Sequence, residues 1–491
     1  MRDGLLQQQE FGFDQIERDV RLDGSLQRAF PLTAVLSSNG KKTQERNDLF
    51  RRFCDRMFVD VGLNRKLVSY QGNKHEPGFR WFKYKEGFSR SLVWTLLPQQ
   101  QGIHVLDPFS GVGTTVVAAA GLGHFGTGIE IMPVGNLAAM AVAYASNGID
   151  MGCLEKQAKA LVQYSVHGTG NRMEQMPITQ GAYPRKTESA LMRAQMFISK
   201  IDDPAIATVL TLACVSILED VSYTRKDGQF LRWDPQSGRV VSPKLDKGPL
   251  PTVREALGKR ISEIIADIPI LERTYAGHIP TLVNGSSLNE LKKLQANSVD
   301  AVVTSPPYAN RYDYTRTYAL ELEYLGYGHE QLKALRQSLL SATVENGSIR
   351  TSIEKDYGED SLAREAFRMA DEQPALQEIL DNLTEQAHEL SNRNVIRLVK
   401  NYFTEMAVVV RELGRVVRPG GSVFMVNDNV RYHGEEVPVD LILSDFAEQS
   451  GFRCQTIRML ERGKGNSSQQ MGRFGRHEIR KCIYHWEKPD G

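Results

Sequence analysis

The chain has 491 residues, 41% of them hydrophobic and 24% charged, and its formal net charge at pH 7 is +1. These are ordinary values for a folded protein, so they exclude collagen-like and disordered classes, and the length allows one large domain with insertions or two to three compact units. No apolar run reaches the roughly 18 residues of a membrane span, and the polar, acidic start is not typical of a secretory signal, so we expect a cytoplasmic protein.

Cysteines and charge bear on the classes of cofactor and partner. The cysteines are widely spaced and form no CxxC pair, so the sequence predicts reduced thiols, with neither a disulfide framework nor a metal site. They are Cys54, Cys153, Cys214, Cys454 and Cys482. A net charge near zero does not exclude a nucleic-acid partner, because a large protein can balance a basic groove with an acidic face elsewhere.

The first clear element follows a weakly patterned start. Residues 1–70 show no strong hydrophobic period, and we interpret them as an N-terminal arm. From residue 103, IHVLDPFSGVGTTVVAAAGLG is typical of a short apolar strand, a glycine-bearing turn and an Ala/Val-rich helix. Gly111 and Gly113 would let the backbone turn tightly and let a ligand approach its amides.

The next strand supports the prediction of a cofactor loop. HFGTGIEI ends near Glu130, where an acidic side chain can accept hydrogen bonds from two ribose hydroxyls. No lysine follows the glycines and their spacing is not GxGxxG, which disfavours ATP and dinucleotides. The pattern favours a nucleotide-like cofactor without a pyrophosphate. For the glycine loop by itself, a purely structural strand-helix turn is an equally good interpretation.

Two long stretches interrupt the alternating strands and helices. Residues 151–279 combine helical segments with a basic, Gly/Pro-punctuated segment, and we interpret them as an inserted subdomain. A second, helical insertion covers 326–392. An amphipathic helix then ends at Arg418, where Pro419 and Gly420 stop it. This order predicts an α/β fold, a doubly wound sheet with two mostly helical insertions.

A second motif, TSPPY, follows the apolar strand VDAVV (299–303), at the strand end where open α/β sheets place their sites. Its consecutive prolines hold the backbone extended and thereby fix the Ser305 hydroxyl and the carbonyls of Ser305 and Pro306 as acceptors. Tyr308 offers a ring on which a flat base can stack. The combination suits an amino group attached to an aromatic ring. The last clear strand is GGSVFMVND (420–428).

DPFSGVGTT, GIEIMP and TSPPY, in this order, resemble the cofactor and catalytic loops of the amino-DNA methyltransferases, and WFKYKEGFSRSLV resembles the segment that covers their cofactor. The similar segments span residues 75–135 and 280–452. The resemblance implies a Rossmann-like methyltransferase sheet with S-adenosylmethionine as the methyl donor. Ser286 stands where the family often has an acidic residue. The cofactor-binding residues implied are Lys85, Gly87, Phe88, Ser89, Asp107, Pro108, Phe109, Ser110, Gly111, Gly113, Thr114, Thr115, Glu130 and Ser286. The catalytic residues implied are Ser305, Pro306, Pro307 and Tyr308.

The resemblance also implies a reaction and partners. It implies methylation of an exocyclic base amine in double-stranded DNA, in a restriction-modification or related defence system that can include a separately encoded restriction endonuclease. Ser305 resembles the cytosine-N4 branch, so an adenine-N6 enzyme is the main alternative. A catalytically silent DNA-binding protein would be expected to lack these loops. A cytosine-C5 enzyme would need a catalytic cysteine near residue 305, and the sequence has none there.

Two basic segments are candidates for contacting DNA phosphates or base edges. RKDGQFLRW, within the candidate target-recognition insertion, contributes Arg225, Lys226 and Arg232. The C-terminal segment contributes Arg462, Lys464, Arg473 and Arg476. A solvated surface is the alternative for both segments.

The predicted organisation divides the chain into seven parts. They are an N-terminal arm (1–70), the cofactor-binding half of the core (71–150), the inserted subdomain (151–279), the catalytic-loop part of the core (280–325), the helical insertion (326–392), the remainder of the core (393–457) and a basic C-terminal segment (458–491).

Overall fold

A computed structural model describes most of the chain. The described residues are 41–98, 100–165, 172–173, 175–227, 230–234, 247–275, 277–341, 343–358, 361–461, 464–465 and 478–490.

Helices and strands alternate through the described residues. The helices are α1 (Gln44–Phe53), α2 (Arg90–Leu96), α3 (Thr114–Ala120), α4 (Pro133–Ser146), α5 (Met151–Tyr164), α6 (Arg185–Ile198), α7 (Pro204–Ser216), α8 (Val253–Tyr275), α9 (Ser287–Glu290), α10 (Tyr314–Thr317), α11 (Ala319–Tyr324), α12 (His329–Ser338), α13 (Arg350–Tyr357), α14 (Ser361–Glu372), α15 (Pro374–Glu385), α16 (Asn394–Val416) and α17 (Val439–Gln449). The strands are β1 (Met57–Val59), β2 (His104–Asp107), β3 (Phe125–Glu130), β4 (Thr224–Asp227), β5 (Phe230–Trp233), β6 (Thr281–Asn284), β7 (Val299–Thr304), β8 (Val417–Asp428), β9 (Val430–Tyr432), β10 (Glu435–Val437), β11 (Arg453–Met459), β12 (Lys464–Gly465), β13 (Glu478–Ile479) and β14 (Lys481–Glu487).

One eight-stranded sheet organises the molecule, with the strand order β1-β11-β14-β8-β7-β2-β3-β6. Neighbouring strands pair in parallel, except that β14 runs antiparallel to both β8 and β11. The chain proceeds outward from β2 through β3 to β6, then returns to β7 on the other side of β2. The strand order therefore reverses between β2 and β7, and open α/β sheets bind ligands beyond the carboxyl ends of the strands at such a reversal.

The side chains of the sheet alternate between two hydrophobic layers. On β2, Val105 packs in the layer with α2 and α3, whereas Leu106 packs in the layer with α14, α16 and α17. On β7, Val303 packs in the layer with α2 and α3, and Val302 packs in the layer with α14, α16 and α17. This period of two on strands buried on both faces explains why they read as continuous apolar runs. The predicted α/β fold with a doubly wound sheet is confirmed.

The two stretches predicted as insertions are mostly helical. Within 151–279, α7 and α8 pack against α4 of the core, and β4 and β5 form a hairpin. Within 326–392, α14 packs along α16, and α15 packs against α1. Residues of the predicted N-terminal arm form α1 and β1, and β1 extends the sheet by pairing with β11.

The boundary between α16 and β8 differs from the prediction. The helix ends at Val416 rather than Arg418, and β8 already includes Arg418 and Pro419. A residue that precedes proline is sterically disfavoured in the helical region, so the helix ends before Arg418. Gly420 adopts a φ of +73°. The β7–β8 pairing shifts register between Val299 and Ala301 to accommodate this segment.

Three further features concern the cysteines, metal binding and membrane spans. The five cysteines are free thiols, and Cys214, Cys454 and Cys482 are buried. Among the residues that the structure describes, no cluster of three or more His, Cys, Asp or Glu side chains could hold a metal ion. In the same part of the chain, no helix has the length and apolarity needed to cross a membrane.

Candidate active site

A cleft opens at the carboxyl ends of β2, β3, β6 and β7. β2 ends at Asp107 and β7 at Thr304, and the Thr304 hydroxyl donates a hydrogen bond of 2.7 Å to Asp107 Oδ1. This bond joins the two strand ends at which the sheet order reverses. The glycine loop and the TSPPY segment, about 190 residues apart in the sequence, consequently border one cleft.

The glycine loop has the tight geometry that its sequence predicts. Gly111 and Gly113 have φ angles of +52° and +76°, a region that favours glycine. A Cβ on Gly113 would lie 2.6 Å from Ala139 Cβ, so this glycine also lets α3 approach α4 closely. The Phe109 amide donates to Asp107 Oδ1 at 3.0 Å and fixes the start of the loop.

Glu130, at the end of β3, is buried beside this loop. Its two carboxylate oxygens accept hydrogen bonds from the Gly111 amide (2.6 Å) and the Met132 amide (2.7 Å). Burial raises the pKa of Glu130 to about 7, although the two amides oppose the shift. Burial likewise raises the pKa of Asp107 to about 6. The site thus holds two carboxyl groups that ionise near neutral pH.

The wall beyond Glu130 comes from the segment after β6. The Gly285 amide donates to the Glu130 carbonyl at 3.0 Å and holds this segment against β3. The Ser287 hydroxyl donates to the Pro108 carbonyl. Ser286 lines the cleft, and its side chain makes no capping hydrogen bond to the short helix α9. Ser110 also lines the cleft, but its Oγ is buried against Gly128 and has no hydrogen-bond partner among the described residues.

An aromatic cluster joins residues 81–93, here called the covering segment, to the part of the chain that follows the TSPPY loop. Tyr84 stacks on Tyr318 with ring centroids 5.2 Å apart and an interplanar angle of 13°. Glu86 accepts hydrogen bonds from the hydroxyls of Tyr312 and Tyr318, the latter at 2.5 Å. Sequence reasoning missed Tyr84, Glu86 and the cleft-lining Tyr314. The unusual density of tyrosines in YDYTRTY, shortly after the TSPPY loop, was a signal that could have indicated Tyr314.

In the TSPPY loop, Ser305 faces the cleft and Tyr308 lies beside it. The Ser305 hydroxyl donates to Tyr308 Oη at 3.3 Å, and the ammonium of Lys481 donates to the same oxygen at 3.2 Å. Lys481 also forms an ion pair of 3.1 Å with Asp428. Burial raises the pKa of Tyr308, and Lys481 opposes that shift.

The predicted site residues divide into two groups. Those that line the cleft are Gly87, Phe88, Asp107, Pro108, Phe109, Ser110, Gly111, Thr114, Glu130, Ser286, Ser305 and Pro307. Those outside its lining are Lys85, Ser89, Gly113, Thr115, Pro306 and Tyr308. Some of the second group support the cleft from behind: the buried Ser89 caps α2 by accepting from the Leu92 amide at 3.2 Å, and Thr115 donates to the Val303 carbonyl at 3.0 Å. Lys85 donates to the Lys226 carbonyl at 2.7 Å.

The predicted DNA contacts fall in different environments. Arg225 and Arg232 lie on the β4–β5 hairpin and are exposed. Lys226 does not lie on the surface: its ammonium is buried in an ion pair with Glu321 and sits 4.3 Å from the Tyr318 ring centroid. Alternation along the strand turns neighbouring side chains to opposite faces, and this places Lys226 inside. Arg462, Arg473, Arg476 and the side chain of Lys464 lie outside the described residues.

A basic groove runs from the covering segment to α8 and the hairpin. Eight basic and four acidic side chains line it. The basic ones are Lys74, Arg80, Lys83, Lys85, Arg225, Lys247, Lys259 and Arg260. Arg80 and Arg260 both pair with Glu263. Lys74, Lys83, Arg225 and Lys259 are exposed, and no carboxylate in the described part of the chain forms an ion pair with them. The groove therefore presents uncompensated positive charge.

Comparison with known proteins adds relatives of nearly full length. No family model matches the chain. It is similar to the Type II methyltransferase M.AvaI of Nostoc sp. (strain PCC 7120), with 41% identity over 459 residues that cover 90% of this chain and 92% of the relative. It is also similar to the Type II methyltransferase M.BsoBI of Geobacillus stearothermophilus, with 40% identity over 457 residues that cover 87% of this chain and 89% of the relative.

Proposed function

Because this chain belongs to the type II methyltransferase family, we propose that it transfers a methyl group from S-adenosylmethionine to the N4 amine of cytosine at a specific DNA sequence, as the modifying enzyme of a restriction-modification system. The observation that carries the proposal is the meeting of the Ser305–Tyr308 loop with the Gly111–Glu130 region in one cleft. Adenine N6 is the alternative target, since the same loop suits both amines. Serine at position 305 favours cytosine.

The cleft residues fit an adenosine-based methyl donor. Each oxygen of Glu130 holds one amide and keeps a second lone pair for a ribose hydroxyl. Phe109, Ile131 and Leu288 provide apolar surface for a flat ring. A Cβ on Gly111 would lie 3.1 Å from Tyr84 Cε1, so glycine lets the Tyr84 ring pack against this loop.

The chain's own groups position and polarise the target amine. When bound, S-adenosylmethionine supplies an electrophilic methyl group on a sulfonium sulfur. The lone pair of a base amine is delocalised into the ring, which makes the amine a poor nucleophile. The Ser305 hydroxyl and the carbonyls of Ser305 and Pro306 are the acceptors from which the two amine hydrogens take their partners; these hydrogen bonds localise the lone pair on nitrogen and direct it into the cleft. Tyr308 stacks on the extruded base and holds it in place. Because all of these groups act by orienting the reactants, positioning supplies most of the rate enhancement.

Double-stranded DNA is the proposed substrate, and the basic groove is the proposed surface for its backbone. The groove begins at Lys83 and Lys85, directly before the residues Glu86 and Gly87 that line the cleft. β5 of the hairpin contacts α10, the helix that follows the TSPPY loop in the chain. A duplex held in the groove would therefore lie beside that loop. Arg225 is the exposed hairpin side chain that also lines the groove. A separately encoded restriction endonuclease is the proposed functional counterpart.

Lysine-to-alanine changes in the groove should weaken DNA binding without sequence preference. For Lys83→Ala and Lys259→Ala, we expect the slope of log K against log salt to fall by about 1 for each lysine removed, equally for target and non-target duplexes. Fluorescence anisotropy over a range of salt concentrations measures this slope. The matched control is Lys400→Ala, an exposed lysine on α16 in the other layer of the sheet. Unchanged slopes in both groove variants would remove the groove as the DNA surface.

S-adenosylmethionine affinity should rise with pH through neutrality. Only the ionised Glu130 carboxylate accepts hydrogen bonds at both oxygens, and its pKa is about 7. Below that pH a proton must leave before the ribose binds, so affinity should fall by up to about tenfold per pH unit. Calorimetric titration between about pH 6 and pH 8.5 tests this. Glu130→Gln should flatten the dependence above about pH 7, where Asp107, with a pKa of about 6, is already ionised. A dependence that survives Glu130→Gln would assign it to another group.

Product analysis tests the target base. The purified protein is incubated with S-adenosylmethionine and unmethylated DNA, and the nucleosides are identified by mass spectrometry. N4-methylcytosine is the expected product. N6-methyladenine would keep the proposed site but replace the target base, and the absence of methylated nucleosides with proven cofactor binding would overturn DNA methylation by this chain.

A further inference from the structure

A largely buried ammonium group stands next to the TSPPY loop. Lys481 begins β14, directly opposite Asp428 in the antiparallel pairing with β8. The side chains of Lys481 and Asp428 are only 16% and 17% exposed, and their charged atoms lie 3.1 Å apart. Burial lowers the pKa of Lys481, but Asp428 and Tyr308 raise it by more, so its pKa lies above the ordinary lysine value and the group stays charged.

Three adjacent strands bring this lysine to the catalytic loop. β14, β8 and β7 are neighbours in the sheet, and the Ser305–Tyr308 loop follows β7 directly. The ammonium of Lys481 lies 3.2 Å from Tyr308 Oη and 5.2 Å from the centroid of its ring. The Ser305 hydroxyl meets the same phenol oxygen at 3.3 Å. One oxygen thus connects the lysine to the serine that faces the cleft.

The donors and acceptors of Lys481, Tyr308 and Ser305 determine which side chain positions which. Lysine has only donors, so Lys481 must donate to the phenol oxygen and hold it in place. With its oxygen held, the Tyr308 ring keeps one orientation, and the hydrogen bond to Ser305 keeps one rotamer of that hydroxyl. Asp428 fixes the lysine in turn. Without this chain of contacts, a partly exposed tyrosine and a small hydroxyl could each rotate, and the acceptor directed at the target amine would be lost.

We propose that Lys481 is a positioning residue for methyl transfer, which acts through Tyr308 on Ser305 and does not bind DNA phosphate. This inference rests on the proposed function, since it needs a reaction at Ser305. It separates Lys481 from the basic C-terminal residues predicted to contact DNA, because its charge is already balanced by Asp428.

A double-mutant cycle tests the proposal. Lys481→Met should lower single-turnover methylation by about 10- to 100-fold, the range expected when a reacting group loses its orientation. Tyr308→Phe should lower it similarly, and the double variant should be no slower than the slower single variant, because both changes break one chain of contacts. DNA affinity should change by less than about twofold in all three. Lys481→Arg, which restores a donor, should recover part of the rate.

Controls separate this role from folding and from the target reaction. Lys481→Met leaves Asp428 unpaired and buried, so Lys481→Met combined with Asp428→Asn removes both charges, and thermal melting verifies that it folds. Multiplicative losses in the cycle, or a loss of DNA affinity at an unchanged rate, would overturn the proposal. The wild-type protein is assayed first: if it methylates no base, the proposed function fails, whereas normal wild-type activity with an unimpaired Lys481→Met enzyme refutes the lysine's role alone.

Discussion

Replacing Glu130 with alanine should weaken S-adenosylmethionine binding by at least about 100-fold, while the protein stays folded. Hydrogen bonds to a charged group contribute about 1.5 to 3 kcal/mol each, and two ribose hydroxyls would lose their acceptor. A total loss of about 3 to 6 kcal/mol corresponds to at least about 140-fold in the dissociation constant. Calorimetric titration with S-adenosylmethionine measures the change.

The fold should tolerate this substitution because the cleft is open to water. The amides of Gly111 and Met132, which now donate to the carboxylate, can then donate to solvent. Removal of a buried carboxylate also removes the desolvation cost that raises its pKa. Glu130→Gln is the matched control: it keeps one acceptor oxygen and should lose less affinity. Unchanged binding in Glu130→Ala, with an unchanged melting temperature, would place the ribose elsewhere.

Replacing Tyr308 with alanine should lower kcat/KM for DNA by about 1,000-fold without changing S-adenosylmethionine affinity. Stacking of a base on an aromatic ring is worth about 1 to 3 kcal/mol, and the loss of orientation at Ser305 adds about 100-fold. The cofactor should bind normally because Tyr308 lies outside the lining of the cleft. Transfer of labelled methyl groups to DNA measures kcat/KM, and calorimetry measures cofactor binding.

Tyr308→Phe separates the two contributions of this residue. Phenylalanine keeps the stacking surface and loses the oxygen that Ser305 and Lys481 contact, so its activity should lie between wild type and Tyr308→Ala. Fluorescence of 2-aminopurine at the target position reports base extrusion, and the signal should fall in the alanine variant and remain in the phenylalanine variant. Equal activities of the two variants would remove stacking from the mechanism.

The sequence determined the fold class and the local motifs. A strand that ends in DPFSGVGTT, a following strand that ends in Glu130 and a buried strand that ends in TSPPY each consist of neighbouring residues, whose backbone preferences are local. Gly111 and Gly113 adopt the positive φ angles that such a turn requires. Because parallel strands present their carboxyl ends at one edge, these local features place both loops where open α/β sheets bind ligands.

Contacts between segments far apart in the chain determined the partners and the burial of the remaining site residues. Lys481 reaches Tyr308 because β14 pairs with β8, and Glu86 lies against Tyr318 because the covering segment packs on α11; neither pairing leaves a periodic trace in the sequence. Lys226 was predicted to be a surface charge in a basic segment, but it is buried because it forms an ion pair with Glu321, almost 100 residues later in the chain. The charge of a side chain is known from the sequence. Its partner and its burial depend on packing between distant segments, and only the tertiary structure determines that packing.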